Sequence, residues 1–495
     1  MKSWQSLDFI VSSSFQPKEQ NMLQHEDIAK VEEIKGKFKT SWLDLDYLSS
    51  YLDILGFHKI KRRFNTCKKS GVSFEELIGI LLVLPIIGFS SIHAFTSNKE
   101  NKISLTGKDP YYRLLANQFI NWRSLLFSFV KEYLAKELSF TPLETTIKCL
   151  IFDDTDLPKS GKTIEGISKI FNHVDRIHFF GFKLLVAGYW NGSIFLPVDF
   201  SFHRENKTSK NKYGLTPKQR KKQKKTPRDK KTRAYKRYKE LNIKKTDMLI
   251  KMFSRICKRN IDIDYILFDS WFTCMSLIKK LQHISKKVHV IGMYKYNSKI
   301  TVGNEVISLK EFKKKGKKPQ RCRKLNYYYH RQITEIDGVK IAVIISKRGV
   351  NGKWYTIVST NTKLSFIEII EIYGIRWTIE VFFKEAKQLF KLGSCQSTNF
   401  DVQIAHTTII MIQYLLVSIR YRMEAYETIG GMFKNLKQDY IEYKLNDRIL
   451  AIVYQIIDFL ENIIDNIDLQ SIVTKLINHS ETFLFQRKVK NPVFQ

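Results

Sequence analysis

Two short apolar runs, each stopped by acids, constrain this chain most. Ile147-Lys-Cys-Leu-Ile-Phe152 ends in Asp153-Asp154-Thr155, and Asp264-Tyr-Ile-Leu-Phe268 ends in Asp269. Runs this short and this apolar read as buried strands. Acids at their C-terminal ends stand where open α/β sheets tend to build their sites. The surrounding pattern agrees. Phe182 to Trp190 and Ser193 to Phe202 are strand-like and are separated by Asn191-Gly192, a strong hairpin signal. Lys244 to Lys258 and Ser276 to His283 read as helices, and Val288 to Tyr294 as a further strand. Short strand patterns then recur at Tyr327 to Ile333, Val339 to Ser346 and Trp354 to Ser359, before a long helical pattern begins near Ile367. Strands and helices mixed in this way predict an α/β fold: a mixed sheet in a helical frame.

At 495 residues the chain is long enough for two to four domains. The expected division is a helical N-terminal domain over 1–145, the first part of the core over 146–295, a β insertion over 296–362, completion of the core over 363–425 and a helical C-terminal region over 426–495. Within the first of these, Ser73-x-x-Glu76 is a capping box opening an apolar window from Leu77 to Phe89. That window is too short to cross a bilayer and contains Pro85, so a buried helix broken there is expected. Apolar stretches from Ile404 to Ile419 and Ile449 to Ile467 are helical, and the second is a candidate dimer surface. The six cysteines are scattered with no C-x-x-C pair, which fits reduced thiols in a cytoplasmic protein. The N-terminus carries no signal-peptide pattern.

Charge narrows the partner. Lys and Arg total 83 against 48 Asp and Glu, a net charge of +35. Such a balance favours a polyanion, nucleic acid before a membrane surface. The excess concentrates between Arg204 and Lys245, a basic insertion with 19 Lys/Arg, three acids and the interspersed Tyr213, Tyr235 and Tyr238. Lysines among tyrosines suit a contact that tracks a DNA backbone; a solvated loop is the plainer alternative.

The sharpest segment is Tyr373-Gly-Ile-Arg376-Trp-Thr-Ile-Glu380-Val-Phe-Phe-Lys-Glu-Ala-Lys387. On one continuous helix, Tyr373, Arg376, Glu380 and Lys387 fall within an arc of roughly 60°, with Ile375, Ile379, Phe382 and Ala386 on an apolar stripe roughly 120° away. Taken alone, Arg376 and Glu380 could be an ordinary i,i+4 ion pair on a solvated face.

The spacing Tyr-x2-Arg-x3-Glu-x6-Lys resembles the signature of the bacterial insertion-sequence transposases of the family named after insertion sequence four. Asp153-Asp154-Thr155-x2-Pro158-Lys159-x-Gly161 resembles that family's first aspartate block, and Phe268-Asp269-Ser270-Trp271-Phe272 its second. The resemblance covers about residues 147 to 425 and implies an RNase-H-like core with a catalytic and metal-holding triad of Asp154, Asp269 and Glu380. Asp153 is the adjacent rival; the family pattern puts the acid directly before the threonine and so names Asp154. The implied cofactor is a pair of Mg²⁺ ions per active site, with Mn²⁺ able to substitute, because hard cations prefer carboxylate oxygen. The implied DNA contacts are Tyr373, Arg376 and Lys387 on the backbone and Trp354 of the β insertion on a flipped base. The implied activity is cut-and-paste transposition: binding double-stranded DNA at the element's inverted-repeat ends, cleaving it and joining the 3′ ends to target DNA. A homodimer in the synaptic complex and a nucleoid-associated location go with it. Two alternatives stay open, a metal-dependent DNA nuclease of the same fold and a non-catalytic DNA-binding protein derived from a transposase.

Overall fold

The computed structural model describes residues 106–140 and 146–423, apart from 173–175, 206–214, 297, 303–304 and 316–317, together with parts of 57–98. The expected C-terminal region 426–495, with its Ile449 to Ile467 stretch, and residues 1–56 lie outside the described residues.

The described part of the N-terminal region is helical. Helix α1 (Phe74–Val83) opens on the Ser73/Glu76 capping box and stops just before Leu84 and Pro85. Helices α2 (Ile92–Ser97), α3 (Asp109–Leu115) and α4 (Trp122–Phe140) follow. The sheet begins with β1 (Cys149–Pro158), β2 (Ser168–Asn172), β3 (Ile177–Trp190) and β4 (Phe195–His203). Three helices then precede the next strand: α5 (Pro217–Lys221), α6 (Arg233–Glu240) and α7 (Lys245–Cys257). Strand β5 (Tyr265–Phe268), helix α8 (Met275–Ile284) and strand β6 (His289–Tyr294) complete the first part of the core.

Strand order settles the fold type. Strand β3 is antiparallel to both β4 and β1, and β5 and β6 run parallel to β1 in the order β4-β3-β1-β5-β6. This is the RNase-H-like arrangement. The β3–β4 hairpin turns on Asn191, whose Oδ1 accepts hydrogen bonds from the Ser193 and Ile194 amides at 2.9 Å each. The connection is therefore a four-residue Asx turn rather than a two-residue one. Beside it, β3 bulges at Gly188, where the Phe195 ring lies over the backbone; a Cβ there would sit 1.9 Å from that ring.

The expected β insertion consists of β7 (Lys299–Val302), β8 (Glu305–Ser308), helix α9 (Leu309–Lys315), β9 (Gln320–Cys322), β10 (Tyr327–Ile336), β11 (Val339–Arg348) and β12 (Tyr355–Ser359). Asp337 and Gly338 both take positive φ, as the tight turn between β10 and β11 requires. Only β7 and β8 stand apart as a pair. Strand β12 joins β6 antiparallel, so β9 to β12 prolong the core sheet to ten strands.

Helices α10 (Phe366–Gly374), α11 (Trp377–Gln388) and α12 (Phe400–Met423) close the described chain. The single long helix expected from Ile367 is two. Between them the Ile375 and Arg376 amides bond back three residues, to Ile372 and Tyr373, in a tightened turn. Gly374, a poor helix former with no side chain to pack, precedes the break. Helix α12 is long and apolar enough to cross a membrane, but 89% of that window is buried as the core helix. It packs on α1, α3, α4 and β4, and Phe400 meets Phe182 and Phe202 edge to face or tilted.

From residue 215 onward the basic segment is tied into the fold by buried ion pairs. Its Arg228 is sandwiched between Glu165 (2.6 Å) and Asp401 (2.9 Å), all three side chains 3–4% exposed. Its Arg237 joins Glu240, which Arg123 of α4 also grips at 2.9 Å. Asp199 is the acid at the centre of this second network. Its carboxylate takes Arg123 at 2.7 Å and Arg255 at 2.6 Å. Burial opposes ionisation there, but Arg123, Arg255 and Arg237 hold it well below the usual carboxylate range.

Candidate active site

The site is built by register. Parallel pairing of β1 with β5 ends at Phe152 opposite Phe268. The next residue on each strand is an acid, so Asp153 and Asp269 come abreast where the two strands part. Strand β1 itself continues to Pro158 against β3, so its acids lie within the strand rather than beyond its end. Asp269 caps the turn after β5, accepting from the Trp271 amide at 3.0 Å and the Phe272 amide at 3.3 Å.

The turn between α10 and α11 brings the signature residues onto these acids. Arg376 reaches Asp153 Oδ2 with Nη1 (3.3 Å) and Glu380 Oε1 with Nη2 (2.5 Å). Its guanidinium lies 5.8 Å from the centre of the Tyr373 ring. Lys387, farther along α11, donates to the Thr155 hydroxyl at 2.7 Å. Successive residues of a strand face opposite ways, so Asp153 and Thr155 share the face that meets α11. The expected row of Tyr373, Arg376, Glu380 and Lys387 is therefore assembled, although Tyr373 ends one helix, Arg376 caps the next, and only Glu380 and Lys387 lie within that second helix. Tyr373 and Arg376 are buried rather than presented to solvent.

The electrostatics are those of crowded acids around one guanidinium. Burial pushes the Asp153 carboxyl up to about 8; Arg376 pulls it down, and Asp269 and Asp154 add to the rise. Burial also raises Asp269, with Arg376 again opposing. Arg376 itself is held charged: burial would lower it, but Tyr373, Glu380 and Asp153 outweigh that. Burial raises the Tyr373 hydroxyl to about 12 and lowers the Lys387 ammonium.

Asp154, the acid named by the motif, turns to the other side of β1. Its Oδ1 accepts from Lys245 Nζ at 3.0 Å, at the start of α7. The physical reason is the alternation of the strand: once Asp153 faces Arg376 and Glu380, its neighbour cannot. Lys245 also lies 3.9 Å from the centre of the Trp271 ring, which is 52% exposed. Sequence reasoning missed both residues. Trp271 stood within the second aspartate block, but nothing local in the sequence ties Lys245 to an acid 91 residues earlier. Trp354 is not joined to the acids by any described contact. It precedes β12, half-buried, with His330 at 5.7 Å and the ammonium groups of Lys313 and Lys347 at 5.0 and 5.3 Å from its ring.

Three carboxylates, from β1, the turn after β5 and helix α11, offer hard oxygen donors to a cation, and Arg376 at the start of α11 offers fixed positive charge to an anion. Among the described residues no three His, Cys, Asp or Glu side chains close on a single point. The Arg376 guanidinium stands between Asp153 and Glu380 instead.

Residues 146–416 match a family described as Transposase DDE domain. No curated protein matches the chain. Among solved structures it is similar to a piggyBac transposase synaptic complex with hairpin DNA, at 14% identity and a TM-score of 0.38, over 88% of this chain and 85% of that one.

Proposed function

We infer function from one premise, that this chain belongs to the Transposase DDE domain family: it is a transposase. We propose that it works by cut and paste, binding the inverted-repeat ends of an insertion sequence, cleaving them and joining the 3′ ends to target DNA. The spacing of Tyr373, Arg376, Glu380 and Lys387 supports assignment to the group named after insertion sequence four.

The observation that carries the catalytic reading is that Arg376 joins Asp153 to Glu380 while the β1–β5 register brings Asp269 abreast of Asp153. These three acids would hold the divalent ions, two Mg²⁺ or Mn²⁺, and their donor chemistry fits: carboxylate oxygens only, with Asp153 and Asp269 held up first by burial and then by each other or by Asp154. When bound, such ions activate the attacking oxygen and stabilise the leaving one in phosphoryl transfer. Asp154 is the second reading for the β1 acid, favoured by the motif and opposed by its pairing with Lys245.

The remaining residues have roles that follow from their state. Arg376 stays charged beside the acids and offers a guanidinium to a backbone phosphate. Tyr373 stays protonated at neutral pH, and its hydroxyl is proposed as a donor to a backbone phosphate. Lys387, tied to Thr155, adds a cation at the far end of the row. Trp354, with two ammonium groups over its ring, is proposed as the stacking platform in the insertion. The N-terminal helices would read the ends, and two protomers would join in the synaptic complex, in a cytoplasmic, nucleoid-associated setting.

The test is excision of the gene's native flanks by wild type and by Glu380→Gln. Excision that vanishes in the variant supports both the activity and the acid. Binding of the flanks without excision by either protein supports a non-catalytic DNA-binding role. Cleavage without joining of 3′ ends supports a nuclease.

A further inference from the structure

The ordered basic segment 216–245 divides its charges between two tasks. Of its fifteen Lys and Arg residues, four are partly or fully buried and spent within the fold. Arg220 donates to the Leu215 carbonyl, Arg228 to Glu165 and Asp401, Arg237 to Glu240 and the Phe200 carbonyl, and Lys245 to Asp154. The other eleven are exposed, and the one exposed acid among them is Asp229.

The segment is also pinned at both ends to places that matter. The Lys224 amide bonds the Thr163 carbonyl (2.8 Å), and Gln223 Nε2 bonds the Ile167 carbonyl (2.7 Å), both in the connection after β1. Gln118, between α3 and α4, grips the Pro227 carbonyl (2.7 Å) and accepts from the Ala234 amide (3.3 Å). At its far end Lys245 stands on Asp154. The exposed cations thus stand on a segment fixed to the N-terminal helices at Gln118 and to β1 at Asp154, on the face of that strand opposite Asp153.

We propose that this face is a phosphate track for duplex DNA beside the N-terminal helices, an inference that rests on the transposase reading. A duplex is favoured over a single strand because the aromatic residues are turned inward. Tyr238 packs edge-on to Phe400 and under Arg228, and Tyr235 is half-buried. What remains outside is charge without a stacking surface, which recognises backbone rather than bases. The buried ion pairs keep the lysines on a fixed frame rather than on a loop that must order on binding.

The experiment compares the full chain with two fourfold variants of equal charge change. One replaces Lys221, Lys222, Lys224 and Lys225 by Gln; the other replaces Lys279, Lys280, Lys286 and Lys287, exposed cations of α8 and the turn after it. Affinity for a fluorescently labelled random-sequence DNA duplex is measured across salt concentrations. The track variant should flatten the plot of log affinity against log salt by about 3 to 4, near 0.9 for each lost phosphate contact, and the control by less than about 1. Equal slopes for both variants, or an unchanged slope for the track variant, would overturn the track while leaving the transposase reading intact if wild type still excises. A loss confined to a single-stranded probe would overturn the duplex assignment. Failure of wild type to bind any DNA would overturn both readings.

Discussion

Adjacent aspartates on a strand present their carboxylates to opposite faces, and only one face of β1 carries Arg376 and Glu380. Asp153→Asn and Asp154→Asn should therefore separate cleanly in an excision assay. Asp153→Asn is expected to lose at least about three orders of magnitude, as removal of a member of a catalytic set does, while Asp154→Asn keeps most of its activity. The reverse result would return the site to the acid before Thr155. That acids would gather near residues 153 and 269 was legible, because each follows a short apolar run. For the choice within the pair the motif names Asp154, whereas the register Phe152 to Phe268, fixed by pairing across more than a hundred residues, sets Asp153 beside Asp269 and Arg376. A second residue-scale prediction concerns Glu385 on α11, which accepts from the Tyr414 hydroxyl at 3.2 Å. Burial raises its carboxyl from an ordinary 4.5 to about 7, against the pull of Tyr414 and Lys384. The folded state then binds a proton that the unfolded state has released, so this group's contribution to stability falls as pH rises from about 4.5 through about 7. Denaturant midpoints of Glu385→Gln should vary less across that window than those of wild type; parallel curves would refute the assignment.

At the scale of elements, helical periodicity located α1, α7, α8 and α11 but hid the turn at Ile375 and Arg376. A tightened turn keeps nearly the same angular progression as a helix, so the four signature residues projected onto one row either way. The basic segment was harder still. Composition described a charged stretch, yet Arg228 and Arg237 are buried ion-pair partners, and their acids come from the β1–β2 connection, α12 and α6. Nothing in a run of lysines distinguishes the two arginines that hold it down. Arg228→Ala would strand Glu165 and Asp401 without a counter-charge at 3% and 4% exposure. The expected cost is about 3 to 5 kcal/mol of stability, typical of breaking one partner from a buried pair, read as a lowered urea midpoint. A shift within about 0.5 kcal/mol would mark the residue as an ordinary surface substitution.

For the molecule as a whole, strand-by-strand patterns identified β10, β11 and β12 but could not say what they join. Edge pairing between β12 and β6 spans about sixty residues and leaves no mark on either strand's own sequence. Because of that pairing the insertion is not a detachable module. Excising residues 296–362 would bare the N–H and C=O groups of β6, a strand whose Val290, Ile291 and Gly292 are buried, along one whole side. A naked apolar strand of that kind recruits other copies of itself. Such a truncation is expected to elute as soluble aggregate rather than as a smaller monomer on size exclusion. Evolution of this lineage, by the same logic, can restyle the loops of the insertion freely but can lose β12 only by finding another strand to close the gap.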